Sequence, residues 1–271
     1  MEKWATILFA DIAGCAEVSN HLALQKYSEF LRQFHTAAKE AKERVLSRYK
    51  EQQDMEFSAR GDEVCLILHK NEKPKSYIED MRRAILYAII LKLGWLLSDH
   101  NQQRIEGSLL PTNLGIGIHR GPVWFDIYPC NIFGTENKKS SEGYCINFAK
   151  RVEGCSREGK YSRIFLSQEA KYLADKEIYF DAVRQFNLKG ISPDPYLSEI
   201  KNIDIKYVLK KIKFEPHSGW LKDTTLHKYI EFAEIHRSTE LWLSILLDLY
   251  LNGTQDERSS GGTYSSLSGQ A

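Results

Sequence analysis

The sequence predicts an α+β domain, a central and mostly antiparallel sheet with flanking helices, and a helical extension behind it. Three observations carry this. Two apolar runs, Thr6–Phe9 and Val64–Leu68, are short, rich in Ile, Leu, Val and Phe, and suited to buried strands. Two longer stretches, Leu24–Tyr49 and Ser76–Asn101, repeat apolar residues at helical spacing. Finally, Asn113–Trp124 alternates small and apolar residues, a strand period, and carries a Gly121-Pro122 turn signal, so a hairpin is expected there.

Taken in order, the first strand covers Ala5–Phe9 and runs to Asp11, with a turn at Gly14. The backbone N–H groups of Ile12, Ala13, Gly14 and Cys15 enter a helix there, a geometry that cradles phosphate oxygens. Tyr27, Phe30, Leu31, Phe34 and Ala38 form the apolar stripe of the helix over Leu24–Tyr49. The run Phe57–Leu68 then reads as two strands about a tight turn at Arg60-Gly61-Asp62, giving β-α-β-β. Asp11 and Asp62 thus stand at the edges of apolar strands. Carboxylates in such places need an offsetting partner, and hard oxygen donors with open positions suit Mg²⁺ or Mn²⁺ that also touches substrate phosphates.

Asn71–Lys75 is expected as a turn and Ser76–Asn101 as one helix. The alternating glycines of Gly115–Gly121 let another backbone approach one sheet face closely. Asp126–Ser141 reads as a polar loop and Gly143–Gly154 as a helix with Asn147 and Arg151 on one face. A strand over Arg163–Ser167, a short helix over Gln168–Asp175 and a strand over Phe186–Gly190 with a basic end at Lys189 complete the domain, expected over residues 1–214. Residues 215–251 read as amphipathic helices, and residues 252–271, rich in Ser and Gly, as a disordered tail.

The bulk composition narrows the partners. With 271 residues and 42% hydrophobic content the chain can bury a full core, and a net charge of +1 gives no basic field for nucleic acid. No apolar segment of signal-peptide length opens the sequence, and the Leu241–Leu251 run is too short to span a bilayer, so a cytoplasmic protein without membrane insertion is expected. Five cysteines without a CxxC pair argue against a disulfide framework or a zinc site.

Five motifs, Phe9-Ala10-Asp11-Ile12-Ala13-Gly14, Gly61-Asp62-Glu63, Gly115–Val123, Asn147-Phe148-Ala149-Lys150-Arg151 and Leu188-Lys189-Gly190, occur in the order found in class III nucleotidyl cyclase catalytic domains, which the chain resembles over roughly residues 4–212. The resemblance implies a ferredoxin-like α+β core and a homodimer with composite active sites. It implies a lyase activity that turns a nucleoside triphosphate into a 3′,5′-cyclic monophosphate and pyrophosphate. It also assigns roles: Asp11, Ile12 and Asp62 at two divalent ions, Mn²⁺ or Mg²⁺, Asn147 orienting the ribose, Arg151 stabilising the transition state, and Lys189 at the terminal phosphates. Arginine offers phosphate two parallel donors, which favours Arg151 over Lys150 beside it.

Two positions depart from the purine-specific pattern. Where those cyclases read the base with Lys or Glu, and with Asp or Cys, this sequence has Ser58 and Ser140. A site built to hydrogen-bond one base discriminates strongly, so the change is expected to alter base choice. Arg60 before Gly61 completes a Ser-Ala-Arg-Gly-Asp-Glu run that resembles the bacterial pyrimidine cyclases of antiphage defence, the Pycsar systems. By that resemblance the substrate is UTP in preference to CTP, and the product is cyclic UMP read by a separate effector protein. An adenylate-type cyclase and a catalytically silent nucleotide-binding module are the competing expectations.

Overall fold

The computed structural model describes residues 1–51, 53–69, 74–128 and 138–204. The expected 215–251 extension, the 252–271 tail and Cys130 lie outside the described residues. The sheet is built on β1 (Glu2–Ile12), which pairs antiparallel with β3 (Glu63–Leu68) on one side and β4 (Leu114–Tyr128) on the other. Outside β3 lies β2 (Met55–Arg60). Beyond β4 come β6 (Ile164–Ser167), parallel to it, then β9 (Tyr196–Ile203) and β7 (Ile178–Phe180), with β5 (Lys138–Glu142) on β4 and β8 (Arg184–Gln185) on β9. The expected α+β, mostly antiparallel architecture is present.

Alternation along the strands sorts two cores. Leu8, Ala10, Val64, Leu66, Ile116 and Ile118 face α2 (Leu24–Leu46) and α3 (Pro74–Leu96), whose Phe30, Phe34, Ile85 and Trp95 are buried among them. Each fully buried side chain of this size contributes roughly 1.5–3 kcal/mol. Ala5, Ile7, Phe9, Ile67 and Val123 face the other way, onto Cys145 and Ala149 of α5 (Tyr144–Gly154). That layer depends on the glycines of β4. A Cβ at Gly115 would meet the Ser156 hydroxyl, one at Gly117 the Glu153 backbone, and one at Gly121 the Cys145 thiol. The close approach expected from the alternating glycines is what seats α5.

Several expectations are corrected. Asn113–Trp124 is no hairpin, because β4 is a single strand of 15 residues that continues through Gly121-Pro122. The Phe125 N–H donates to the Met1 carbonyl on the β1 side and the Ile116 N–H to Arg163 on the β6 side. By alternation the Pro122 nitrogen faces away from β1, into the interval between β6, paired at Ile116–Ile118, and β5, paired from Trp124. A missing N–H costs nothing there. Part of the expected polar loop, Lys138–Ser141, belongs to β5. The helix over Ser76–Asn101 is two helices: α3 stops at Leu96, and α4 (Asp99–Glu106) restarts with Ser98 as N-cap, its hydroxyl accepting from the Asn101 N–H. Phe186–Gly190 is not a strand, since Ile191 N–H closes a turn on the Leu188 carbonyl and leaves Phe186 and Leu188 as core anchors. A short helix, α1 (Cys15–His21), precedes α2, and α6 (Gln168–Lys171) follows β6.

Candidate active site

The ladder assembles the site. One row of directly paired residues runs Arg60, Glu63, Asp11 and Gly115 across four strands, and a neighbouring row runs Ser58, Cys65, Phe9 and Gly117. Both rows lie on the face that α5 packs against, so Asp11, Ser58 and Arg60 share it. Asp62 sits in the β2–β3 turn, which the positive φ of Gly61 (57°) makes possible. The Ile12 N–H donates to the Asp62 carbonyl at 3.2 Å, fixing the turn against the end of β1. The two aspartates expected at the metal therefore meet at one corner of the sheet.

Asp11 is half-buried, and burial raises its carboxyl above the ordinary aspartate value; Lys150 opposes the rise, while Asp62 and Glu63 add to it. Its Oδ2 takes the Lys150 ammonium at 3.3 Å, and its Oδ1 is buried with no hydrogen-bond partner. Lys150 is the hub of the corner: Glu63 lies 2.7 Å from its Nζ, Glu153 3.0 Å and Asp11 3.3 Å. Burial works against the Lys150 charge, and the hydrogen bonds it donates to Glu63 and Glu153, with the charges of Glu153 and Asp11, more than offset it, so its pKa is raised. Burial also raises the Glu153 carboxyl. The opposite pulls on this pair are resolved by the geometry: one ammonium shared by several carboxylates stays charged. In the sequence only the spacing of three between Lys150 and Glu153 on a helix points to this cluster; Glu63 joins it through the pairing of β1 with β3.

The remaining expected residues are placed as follows. Asn147 and Arg151 are exposed on α5, whose buried side is Cys145, Phe148, Ala149, Val152 and Glu153. They do not join the Asp11 corner of their own chain. In the expected cradle, the Ile12 N–H is engaged by Asp62 and the Ala13 N–H by the Asn113 carbonyl, so it narrows to Gly14 and Cys15. Burial pushes the Cys15 thiol up to about 11, and its sulfur lies 3.4 Å from the Tyr27 hydroxyl. Cys15, Cys65, Cys145 and Cys155 are unpaired. Ser140 pairs with Asp126, far along β4 from the Ser58 row, so the ladder does not set Ser58 and Ser140 side by side. Lys189 is exposed in a turn with Gly190 at φ 79°. His119 and Arg120 of the Gly115–Val123 motif are buried in mid-β4.

The corner fits a hard divalent ion. The donors are carboxylate oxygens, the Asp11 Oδ1 is an orphaned acceptor, and Asp62 is adjacent. Among the described residues no group of three or more His, Cys, Asp or Glu is placed to hold a metal ion. Nor is any helix among them long and apolar enough to cross a membrane.

No protein-family model and no curated protein matches the sequence. Solved structures do. The chain is similar to the adenylyl cyclase CyaB from P. aeruginosa, at 18% identity and a TM-score of 0.62 over 75% of this chain and 96% of that one. It is similar to the guanylyl cyclase Cya2, at 19% identity and 0.60 over 75% and 94%. The guanylate cyclase domain of RhGC from Catenaria anguillulae, solved with GTP, gives 15% identity and 0.54 over 75% and 100%. The order of strands, the layer of α5 on β4 and these likenesses together show that the chain has the fold of a class III nucleotidyl cyclase catalytic domain.

Proposed function

We propose that the protein is a metal-dependent nucleotidyl cyclase with its catalytic domain in residues 1–214, acting on a pyrimidine nucleoside triphosphate, UTP in preference. The observation that carries the cyclase reading is the meeting of Asp11 and Asp62 at one sheet corner, with an unpartnered carboxylate oxygen, while Asn147 and Arg151 stand exposed on the adjacent helix; the base preference rests on Ser58, Arg60 and Ser140. In the reaction the ribose 3′ oxygen bonds to the α-phosphorus, the bond from that phosphorus to the bridging oxygen breaks, pyrophosphate leaves and the hydroxyl proton is lost. Asp11, Ile12 and Asp62 would hold two divalent ions, Mn²⁺ or Mg²⁺, which would supply acidity at the hydroxyl and charge compensation at the triphosphate. Asn147 orients the ribose. Arg151 donates to the phosphate oxygens where charge develops, Gly14 and Cys15 offer backbone donors, and Lys189 contacts the terminal phosphates.

Exposure of Asn147 and Arg151 supports a homodimer in which one chain's aspartates complete a site with its partner's Asn147 and Arg151. Ser58 and Arg60, in rows beside the acids, are the proposed base-side contacts, and Ser140, set apart from Ser58 by the ladder, is a separate proposed contact. The product would be a second messenger in antiphage defence, read by a separate effector. A second reading is a purine cyclase, favoured by the names of the similar structures, which are adenylyl and guanylyl cyclases. The test is purified protein with Mn²⁺ and ATP, GTP, CTP or UTP in separate reactions, products resolved by mass. Cyclic UMP dominating is expected. Cyclic AMP or GMP dominating would select the purine reading, and no product from any of the four would remove the enzyme assignment.

A further inference from the structure

We propose that Lys150 is a built-in counter-ion of the metal corner and sets its affinity for divalent cations. The inference rests on the proposed metal site and concerns a residue outside its ligand set. The Lys150 ammonium lies 2.7 Å from Glu63, 3.0 Å from Glu153 and 3.3 Å from Asp11, so it occupies the ground between the carboxylates that a bound cation would have to share. The contacts are unequal. Glu63 and Glu153 hold Lys150 closely, Glu153 from the same helix, and Asp11 is the most distant of the three.

The side chain of Glu153 is deeply buried, which anchors the ammonium from below. Asp11 is therefore divided. One oxygen faces the ammonium, and the other is buried without a partner. Three carboxylates against one ammonium leave negative charge in excess, and the adjacent Asp62 increases it. The corner attracts a divalent ion through that excess, while the fixed ammonium repels it across a few ångströms of partly buried space. Binding then draws Asp11 away from Lys150, which stays with Glu63 and Glu153. Lys150 acts through Asp11 as a positioning residue. Without a cation it keeps the crowded acids from repelling one another, and with one it limits how tightly the cation is held.

The test is direct titration of the full chain with Mn²⁺, free ion followed by electron paramagnetic resonance, without nucleotide. Lys150→Met keeps the stem and removes the charge, and should tighten Mn²⁺ binding by about tenfold or more. It should also lower the melting temperature without metal and enlarge the rise that Mn²⁺ produces. Lys150→Arg keeps the charge and should bind as the unaltered chain does, and Lys150→Gln serves if the Met variant does not fold. Unchanged or weaker Mn²⁺ binding in folded Lys150→Met, with binding still abolished by Asp11→Asn and Asp62→Asn, would overturn the role of Lys150 and leave the metal site standing. Binding indifferent to both aspartate variants would overturn the site and the proposal with it.

Discussion

The His35 ring nitrogen Nε2 lies 2.8 Å from the carbonyl of Gly61. This ties α2 to the turn that carries Asp62, at the carbonyl next to the one that accepts from the Ile12 N–H. The turn is held at two successive carbonyls, and its Gly61 keeps a left-handed backbone. His35→Ala is expected to leave the fold intact and to raise the Mn²⁺ concentration needed for half-maximal pyrophosphate release by roughly tenfold, as loosened placement of a metal ligand does. An unchanged metal dependence would show that the turn holds itself.

The exposed face of α5 leads to a mixing test. Asp11→Asn and Arg151→Ala are each expected to lose activity by about 10²–10³ or more, with circular dichroism and melting temperature unchanged for Arg151→Ala. Mixed in equal amounts, the two should recover roughly a quarter of normal turnover, because a mixed pair of chains contains one intact composite site. No recovery after verified exchange of chains would place both residues in one chain's site.

Gly117 sets how near α5 can come. Gly117→Ala would drive a methyl group into the Glu153 backbone. Overpacking of this kind costs about 1–3 kcal/mol and occasionally more. A lowered urea midpoint is the expected outcome, with activity falling as Lys150 and Glu153 shift from Asp11. Gly154, with open space around its Cβ position, is the control.

His119 gives a pH dependence. Burial lowers its pKa to about 4, only partly opposed by Glu169 on α6; its Nδ1 lies 2.9 Å from the Ser167 hydroxyl and its ring against Phe148. A histidine with a depressed folded pKa stabilises the fold above its unfolded value of about 6.5, and that contribution is lost as pH falls toward 4. His119→Gln should therefore lose less stability than the unaltered chain between pH 7.5 and 5 in urea titrations. Equal losses would show that His119 is protonated without penalty.

Local physics made much of this fold legible. The stripe of α2 and the glycines of β4 each carry their own signal, and the structure uses both as read. What failed were places where a tertiary neighbour overrules a local rule. Gly121-Pro122 looks like a turn, but β1 supports β4 through it and the proline nitrogen faces away. Ser98 is a good cap inside what looks like one long helix. At the site, Asp11 and Asp62 stand out as acids in apolar runs. Lys150 does not, because only the folded sheet brings Glu63 to it.

The proline in mid-β4 also divides one strand into two mechanical regimes. On its outer edge β4 carries β6 before Pro122 and β5 after it, with no backbone donor at the junction. The β6 half is locked between layers of core. Past Pro122 the outer partner is β5, while β1 still holds the inner edge at Val123 and Trp124. Amide hydrogen exchange along the outer edge of this single strand should therefore fall into two tiers that meet at Pro122.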